Sequence, residues 1–528
     1  MNSLIGRSTL SQITAVTVKN IVLLGYGMSL GFPTLLIPDL SRRNVDDPLY
    51  LGPEGISWIA SINLFAIPFG CLVSGVVTQP LGRRRSMQLI NIPFGICWIV
   101  YYFSSEAWHI LVTLAITGLA GGLKETPVLT YVVEISQPHL RGTLTSTASV
   151  TVAAGVMLEF ILGKFLNWKS AALCSLVVPF LSFSLLFFIP ETPSWLLSKG
   201  RSEEAKRSLA WLRGWVSEEN VTKEYEKLRH NLRINSELEN HNTTINQNDI
   251  RMKLLNELSV LKLFRKRNFR RPFMLLTVAS FLVHFCGLSP IQVYAVNLFT
   301  SLHSPIDGHT ATAILGVVGL LGSLLCVTII GKCGRRVTSF ISLSGTAVAF
   351  FVLGTYTHFF NINSLMPPKN ITKYMLNTTA HSSTEMNVSQ TWFPFVTLLM
   401  AAFSAQMGIR LLPWTLVAEV FPNEIRDISA GMVAMNFYIL GSICNKVFLK
   451  YTDFVTLPGT FWTFSAVSGL GVAVLYFILP ETEGRTLFEI SEHFSGRSQL
   501  GYSLDRRKAT AEEENELSIK LHREELNN

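Results

Sequence analysis

Charged residues are scarce in this chain of 528 residues: Asp, Glu, Lys and Arg make up 15%, against 48% apolar. Soluble domains average about 25% charged, so a string of ordinary soluble domains is excluded. Cysteine is sparse and unpatterned. The seven residues are an odd number, none pairs by spacing, and all lie in or beside apolar runs. They read as reduced core residues, with neither a disulfide framework nor a zinc site. No nucleotide-binding loop, metal-ligand spacing or nucleophile–base constellation occurs, so no cofactor, no metal and no enzyme is expected. The N-terminus also lacks the charged start, short apolar core and small-residue cleavage site of a signal peptide. Its first apolar run reads as an uncleaved membrane helix.

Long uncharged runs are what the chain has in abundance. Twelve can cross a hydrocarbon core of ~30 Å: 18–38, 56–78, 87–105, 109–133, 144–165 and 169–189, then 273–299, 310–330, 338–360, 392–417, 428–449 and 459–479. Strands are excluded at this length, because an open sheet in lipid leaves its edge groups unpaired. The expected fold class is an all-α membrane protein of twelve transmembrane helices in two pseudo-repeated six-helix bundles.

The net charge of +8 does not signal nucleic acid. Basic residues gather at Arg83–Arg85, Arg141, Lys332, Arg335, Arg336 and Arg426, and segment 199–271 holds seventeen against ten acidic. All of these fall on one side, which the positive-inside rule makes the cytoplasm. Both termini then lie inside. Arg42 and Arg43 fall outside, where Asp46, Asp47 and Glu54 offset them. The expected division is a cytoplasmic N-terminus (1–17), a first bundle (18–189), a cytoplasmic, charged and partly helical linker (190–272), a second bundle (273–479) and a cytoplasmic tail (480–528).

Three elements recur in the same order in both halves. Gly82-Arg83-Arg84 is echoed by Gly334-Arg335-Arg336. Glu134 and Arg141 are seven apart, as are Glu419 and Arg426, and Pro190-Glu191-Thr192 returns as Pro480-Glu481-Thr482. A duplicated apolar unit points to a transporter. From Gly82 to Glu134 is 52 residues and from Gly334 to Glu419 is 85, an excess that matches a polar insert at 361–391 between the ninth and tenth runs. The topology places that insert outside. It carries three N-x-[ST] sequons, at Asn370, Asn377 and Asn387, and reads as glycosylated. Asn220 and Asn242 match the pattern too, but fall inside.

Together these motifs resemble the sugar porter branch of the major facilitator superfamily, over nearly the whole chain. The stretches GMSLGFPTLLIPDL and IRLLPWTLVAEVFP look most like insect facilitated trehalose transporters within it. The chain departs from the branch at its first loop signature, where Gln79-Pro80-Leu81 has lost the Asp-Arg pair, and at Gly331 in the second copy.

The resemblance implies a cytoplasmic latch of Arg–carboxylate pairs. Its members are Arg83, Arg84, Glu134, Arg141 and Glu191, repeated as Arg335, Arg336, Glu419, Arg426 and Glu481. It implies a sugar site in which Trp414 lies against the ring and Gln406 stands where an acid is common. Other positions of that site have changed: Ser149 for Gln, Val283 and His284 for a Gln pair, Ser289 for Asn, Gly319 for Asn, and Phe437 for Asn with Asn436 beside it. His284 reads either as a ligand or as a satisfied interior residue. Charges inside spans are costly and mark function: Glu125 beside Lys124, Glu159, and Arg410, for which a Glu159–Arg410 pair is one arrangement.

The reading is a facilitative carrier of hexose or trehalose in the plasma membrane, working by alternating access, with a sugar and the bilayer as partners and a monomer sufficient. The bundles would rock about a midplane site. Proton-coupled relatives carry an acid after Gly-Tyr, whereas Gly25-Tyr26 is followed by Gly27, which favours uniport. A non-transporting sugar sensor, or a proton-coupled or non-sugar carrier, remains the alternative.

Overall fold

The structure, a computed structural model, describes residues 2–44, 46–230, 267–365, 388–421, 426–485 and 487–496. Every regular element among the described residues is a helix. Among the described residues, ten helices are long and apolar enough to cross a bilayer. One of them, Ile428–Ile478, has 51 residues and is interrupted at Thr456 (φ 71°), so it supplies two crossings. The shorter apolar helix Thr391–Gln406 supplies the crossing expected from the tenth run. The result is the twelve-helix major facilitator fold. The chain divides into two compact units, Met1–Leu261 and Lys262–Asn528.

In the first unit, helix Asn2–Arg42 lies along helix Pro138–Phe165. Glycine makes that approach close. A Cβ on Gly27 would strike the Val152 carbonyl, and one on Gly155 would strike that of Leu24. Gly118 and Gly122 do the same for Ala107–Leu123 against Pro53–Leu81. Small residues let membrane helices touch backbone to backbone, which supplies packing where lipid offers no hydrophobic drive.

The first helix runs from Asn2 to Arg42 and so includes the expected N-terminal segment 1–17. Its early polar residues are satisfied by neighbours: Ser11 donates to the Leu212 carbonyl (2.8 Å), and Gln12 exchanges bonds with Gln137 (3.1 and 2.8 Å). Part of the expected linker is equally well packed. Helices Pro193–Ser198 and Ser202–Leu212 bury Trp195, Leu196, Ala205 and Leu209 with Val221 and Tyr225. Amphipathic spacing, rather than hydropathy, makes this a folded appendage of the first unit.

In the second unit two expected runs are broken. The seventh splits into Arg267–Phe285, Leu288–Val293 and Ala295–Ser301, turning at Gly287 (φ 95°). The tenth splits into Val388–Gln406 and Leu412–Val420. Freed backbone in a membrane needs a substitute partner. Ser342 supplies one, accepting from Ile409 N–H (3.0 Å) while donating to the Ser404 carbonyl (2.6 Å). A helix Leu487–Ser495 follows the second PET motif and buries Ile490 and Phe494. Sequons Asn370, Asn377 and Asn387 and the tail beyond residue 496 lie outside the described residues. All seven cysteines are free.

Candidate functional site

The repeated motifs build the same device in each unit. Helix Arg83–Phe103 starts at Gly82, which has no side chain to cap it. Its first N–H groups would be orphans. Glu191 satisfies them instead: its carboxylate accepts from Arg83 N–H (3.0 Å) and Arg84 N–H (3.0 Å), and also from Thr192 N–H (3.0 Å). Burial pushes the Glu191 carboxyl above its ordinary pKa, and these donors oppose the shift. The Arg83 guanidinium pairs with Glu134 at 2.8 Å, and Arg84 donates to the Ile189 carbonyl at 3.0 Å. The Trp195 indole ties the appendage to the Gln79 carbonyl (2.8 Å).

The second unit repeats this. Glu481 accepts from Arg335 N–H (3.0 Å) and Arg336 N–H (3.1 Å). Arg335 forms a two-pronged pair with Glu419, donates to Thr482 (2.7 Å) and reaches Glu483 (3.2 Å). Arg336 donates to the Tyr476 carbonyl (2.6 Å). Gly82 and Gly334 sit at φ 90° and 82°, where an L side chain is strained, and a Cβ on either would strike the capping carboxylate. Glu191 and Glu481 therefore bind backbone rather than guanidinium, a role the motif spacing does not reveal. Arg141 is exposed, with no side-chain partner among the described residues. The Arg426 side chain lies outside them.

A second cluster forms where both broken helices of the second unit meet Arg426–Ile478. His284 Nδ1 lies 2.6 Å from Ser289 Oγ, and its ring packs on Phe437 at 4.4 Å. Phe437 in turn touches Trp414 (5.1 Å), which neighbours Tyr438 (6.1 Å). The His284 ring also occupies the space that a Cβ on Gly441 would fill. Asn436 is tied to Thr277 (3.3 Å). Gln406 is 4% exposed beside Gly319 and Gly322, and its amide has no hydrogen-bond partner among the described residues. Neither does the half-buried Trp414 indole N–H. His284 is thus satisfied at Nδ1, while Nε2 is unpaired among the described residues. The break between Gln406 and Leu412 means that helical spacing does not set the distance between Gln406 and Trp414. Ser149 belongs to helix Pro138–Phe165 of the other unit.

The intramembrane charges are distributed differently. Glu159 is fully buried and accepts from Ser175 (2.9 Å) within its own unit. Arg410 lies in the unwound segment of the tenth run and acts electrostatically on His284. Glu125 pairs with Lys124 (2.9 Å), whose ammonium stands 3.6 Å over the Tyr26 ring. Lys19, 1% exposed, lies in a helix long and apolar enough to cross a bilayer, where hydropathy averaging hides it, although a lysine in an apolar run was signal enough.

A family model described as "Sugar (and other) transporter" matches residues 50–494. The chain is 26% identical to a facilitated trehalose transporter Tret1 of Apis mellifera ligustica, over 93% of this chain and 89% of that one. It is 27% identical to the Tret1 of Polypedilum vanderplanki, over 84% and 80% respectively. Against the Tret1 of Aedes aegypti identity is 25% over 92% of this chain, which spans only 55% of that longer protein. Among solved structures, the inward-open xylose transporter XylE from E. coli superposes with a TM-score of 0.67 at 18% identity, covering 91% of this chain and 99% of that one. This last likeness is one of fold.

Proposed function

This chain belongs to the sugar (and other) transporter family, a family of carriers and not of enzymes, and from that premise we propose that it moves trehalose or a hexose passively across the plasma membrane by alternating access. The observation that carries the substrate class is the pair of uncommitted polar groups on either side of one helix break. Gln406 offers an amide with donors and an acceptor, and Trp414 offers a flat indole with one N–H. A sugar presents hydroxyls of both kinds along an apolar ring face. His284, Ser289 and Asn436 border the same cluster but already bond one another or Thr277, so they shape the site more than they grip the sugar. Ser149, on helix Pro138–Phe165 of the first unit, is a separate candidate.

Passive transport is supported by the packing at Gly27. An acid there would need room, and the Val152 carbonyl occupies the place of its Cβ. Uptake of labelled trehalose, glucose and a panel of other solutes into proteoliposomes tests the reading. Saturable equilibration of one sugar supports it; transport of a non-sugar alone, or of nothing, refutes it.

The Arg–carboxylate networks serve as the cytoplasmic latch in this proposal, with both termini inside and glycans on the insert at 361–391. The positive-inside distribution supports that orientation.

A further inference from the structure

We propose that the cleft between the start of helix Arg83–Phe103 and the appendage of the first unit binds a phosphate ester, supplied by a soluble metabolite or by a lipid headgroup. The cleft encloses about 410 Å³ and is lined by Arg84, Arg85, Arg201 and Arg207 together with the indoles of Trp195 and Trp211. That volume falls in the range of small-molecule sites, about 300–1,000 Å³. The positive-inside rule makes this face the cytoplasmic one. Helical spacing explains the lining. Arg201, Glu204, Arg207 with Ser208, and Trp211 recur every three or four residues, so they share one face of helix Ser202–Leu212 and the turn before it. Successive residues of helix Arg83–Phe103 are turned by about 100°, so Arg83 reaches Glu134 while Arg84 and Arg85 reach the cleft.

Four guanidinium groups line the cleft against two carboxylates, and both acids are engaged. Glu191 accepts from the N–H groups of Arg83, Arg84 and Thr192. Glu204 holds Arg201 through two bonds, of 2.8 and 2.6 Å. Arg207 lies 3.5 Å from Glu218, with its side chain 72% exposed. Arg85 is exposed and has no ion pair among the described residues. Arg84 donates through Nη1 to the Ile189 carbonyl at 3.0 Å, but its Nε is buried and has no partner among the described residues.

A buried donor without an acceptor is costly, and a phosphate ester relieves it. A phosphomonoester brings about −1.5 to −2 charges and three acceptor oxygens, and the guanidinium fork matches those oxygens two at a time. A free phosphate ion is smaller than the cleft. The half-buried Trp211 indole, which packs on the core of the first unit, offers a flat surface to the organic part of an ester. The cleft lies wholly within the first unit, so it does not depend on the sugar site at Gln406 and Trp414.

The test uses the full chain in phosphatidylcholine nanodiscs at fixed pH and ionic strength, with trehalose and glucose in excess to occupy the sugar site. One arm titrates radiolabelled glucose 6-phosphate. The other raises the share of phosphatidylinositol 4-phosphate in the discs and follows the melting temperature. Saturable binding in the first arm or saturable stabilisation in the second is expected, and the arm that saturates identifies the source of the ester. Arg85→Gln combined with Arg207→Gln should weaken the response by about tenfold or more, the loss that goes with charge-assisted contacts. Arg207→Glu alone, at an exposed side chain, should do the same. Lys227→Gln combined with Arg229→Gln removes the same charge from the first unit away from the cleft and should leave the response unchanged. Saturation in neither arm overturns the proposal. So does a response that the cleft variants leave unchanged, or one that the Lys227→Gln and Arg229→Gln protein loses equally.

Discussion

Glu481 caps the helix Arg335–Phe359 from 146 residues away, accepting from the N–H of Arg335 at 3.0 Å and, through its other oxygen, from that of Arg336 at 3.1 Å. Glu191 does the same for Arg83 and Arg84. Each acid closes the end of a distant helix, so the PET motif of each half acts as a structural clasp as well as a topological marker.

Gly334→Ala should therefore destabilise the protein twice over. The backbone there (φ 82°, ψ 168°) is essentially confined to glycine and costs about 1–3 kcal/mol for a residue with a Cβ, and the Cβ also displaces the Glu481 carboxylate. Gly431→Ala, where nothing lies within 4 Å, is the control. Thermal melting of the purified protein should fall for Gly334→Ala and hold or rise for Gly431→Ala, which lies within a helix; equal melting of the two would contradict the clasp.

Loss of a guanidinium pair should act on conformation. Glu419→Gln breaks the two-pronged bond to Arg335 and should shift the population toward inward-open states by about 1–2 kcal/mol. Arg426→Ala should shift it the same way if Arg426 belongs to the latch. Labelling of an engineered cysteine from the cytoplasmic side reads the shift. Unchanged labelling in Glu419→Gln would confine the pair to fixing helix ends.

The insert at 361–391 should carry N-linked glycans. Digestion with an amide-cleaving glycosidase should increase gel mobility, and combined change of Asn370, Asn377 and Asn387 to Gln should abolish that increase. A mobility change that survives the triple substitution would place the glycans, or the membrane topology, elsewhere.

Transport should equilibrate substrate without accumulation, and an imposed proton gradient should not drive it uphill. Concentrative uptake that a protonophore abolishes would contradict uniport and make Glu125 and Glu159 the groups to examine.

The sequence makes the twelve crossings legible because each is long and apolar. The repeats locate Arg83 with Glu134 and Arg335 with Glu419, since paired motifs mark paired helix ends. What the residues do not announce is local. The two helix breaks depend on Gly287 and on Ser342 bonding freed backbone, and neither changes hydropathy. Backbone capping by Glu191 and Glu481 is hidden because an acid near arginines suggests a side-chain pair. Lys19 is lost to averaging over an apolar run.

Competition binding of trehalose and glucose to wild type, Gln406→Ala and Trp414→Ala tests the central claim most directly. Removing the Gln406 amide leaves a sugar hydroxyl unpaired and should weaken affinity by about 1–3 kcal/mol, roughly 5- to 150-fold. Trp414→Ala should weaken it as well and impair uptake more broadly, because it also removes a ring that packs on Phe437 and Tyr438. Unaltered affinity for every transported sugar in both variants would contradict the assignment and move the site to Ser149, His284 and Ser289.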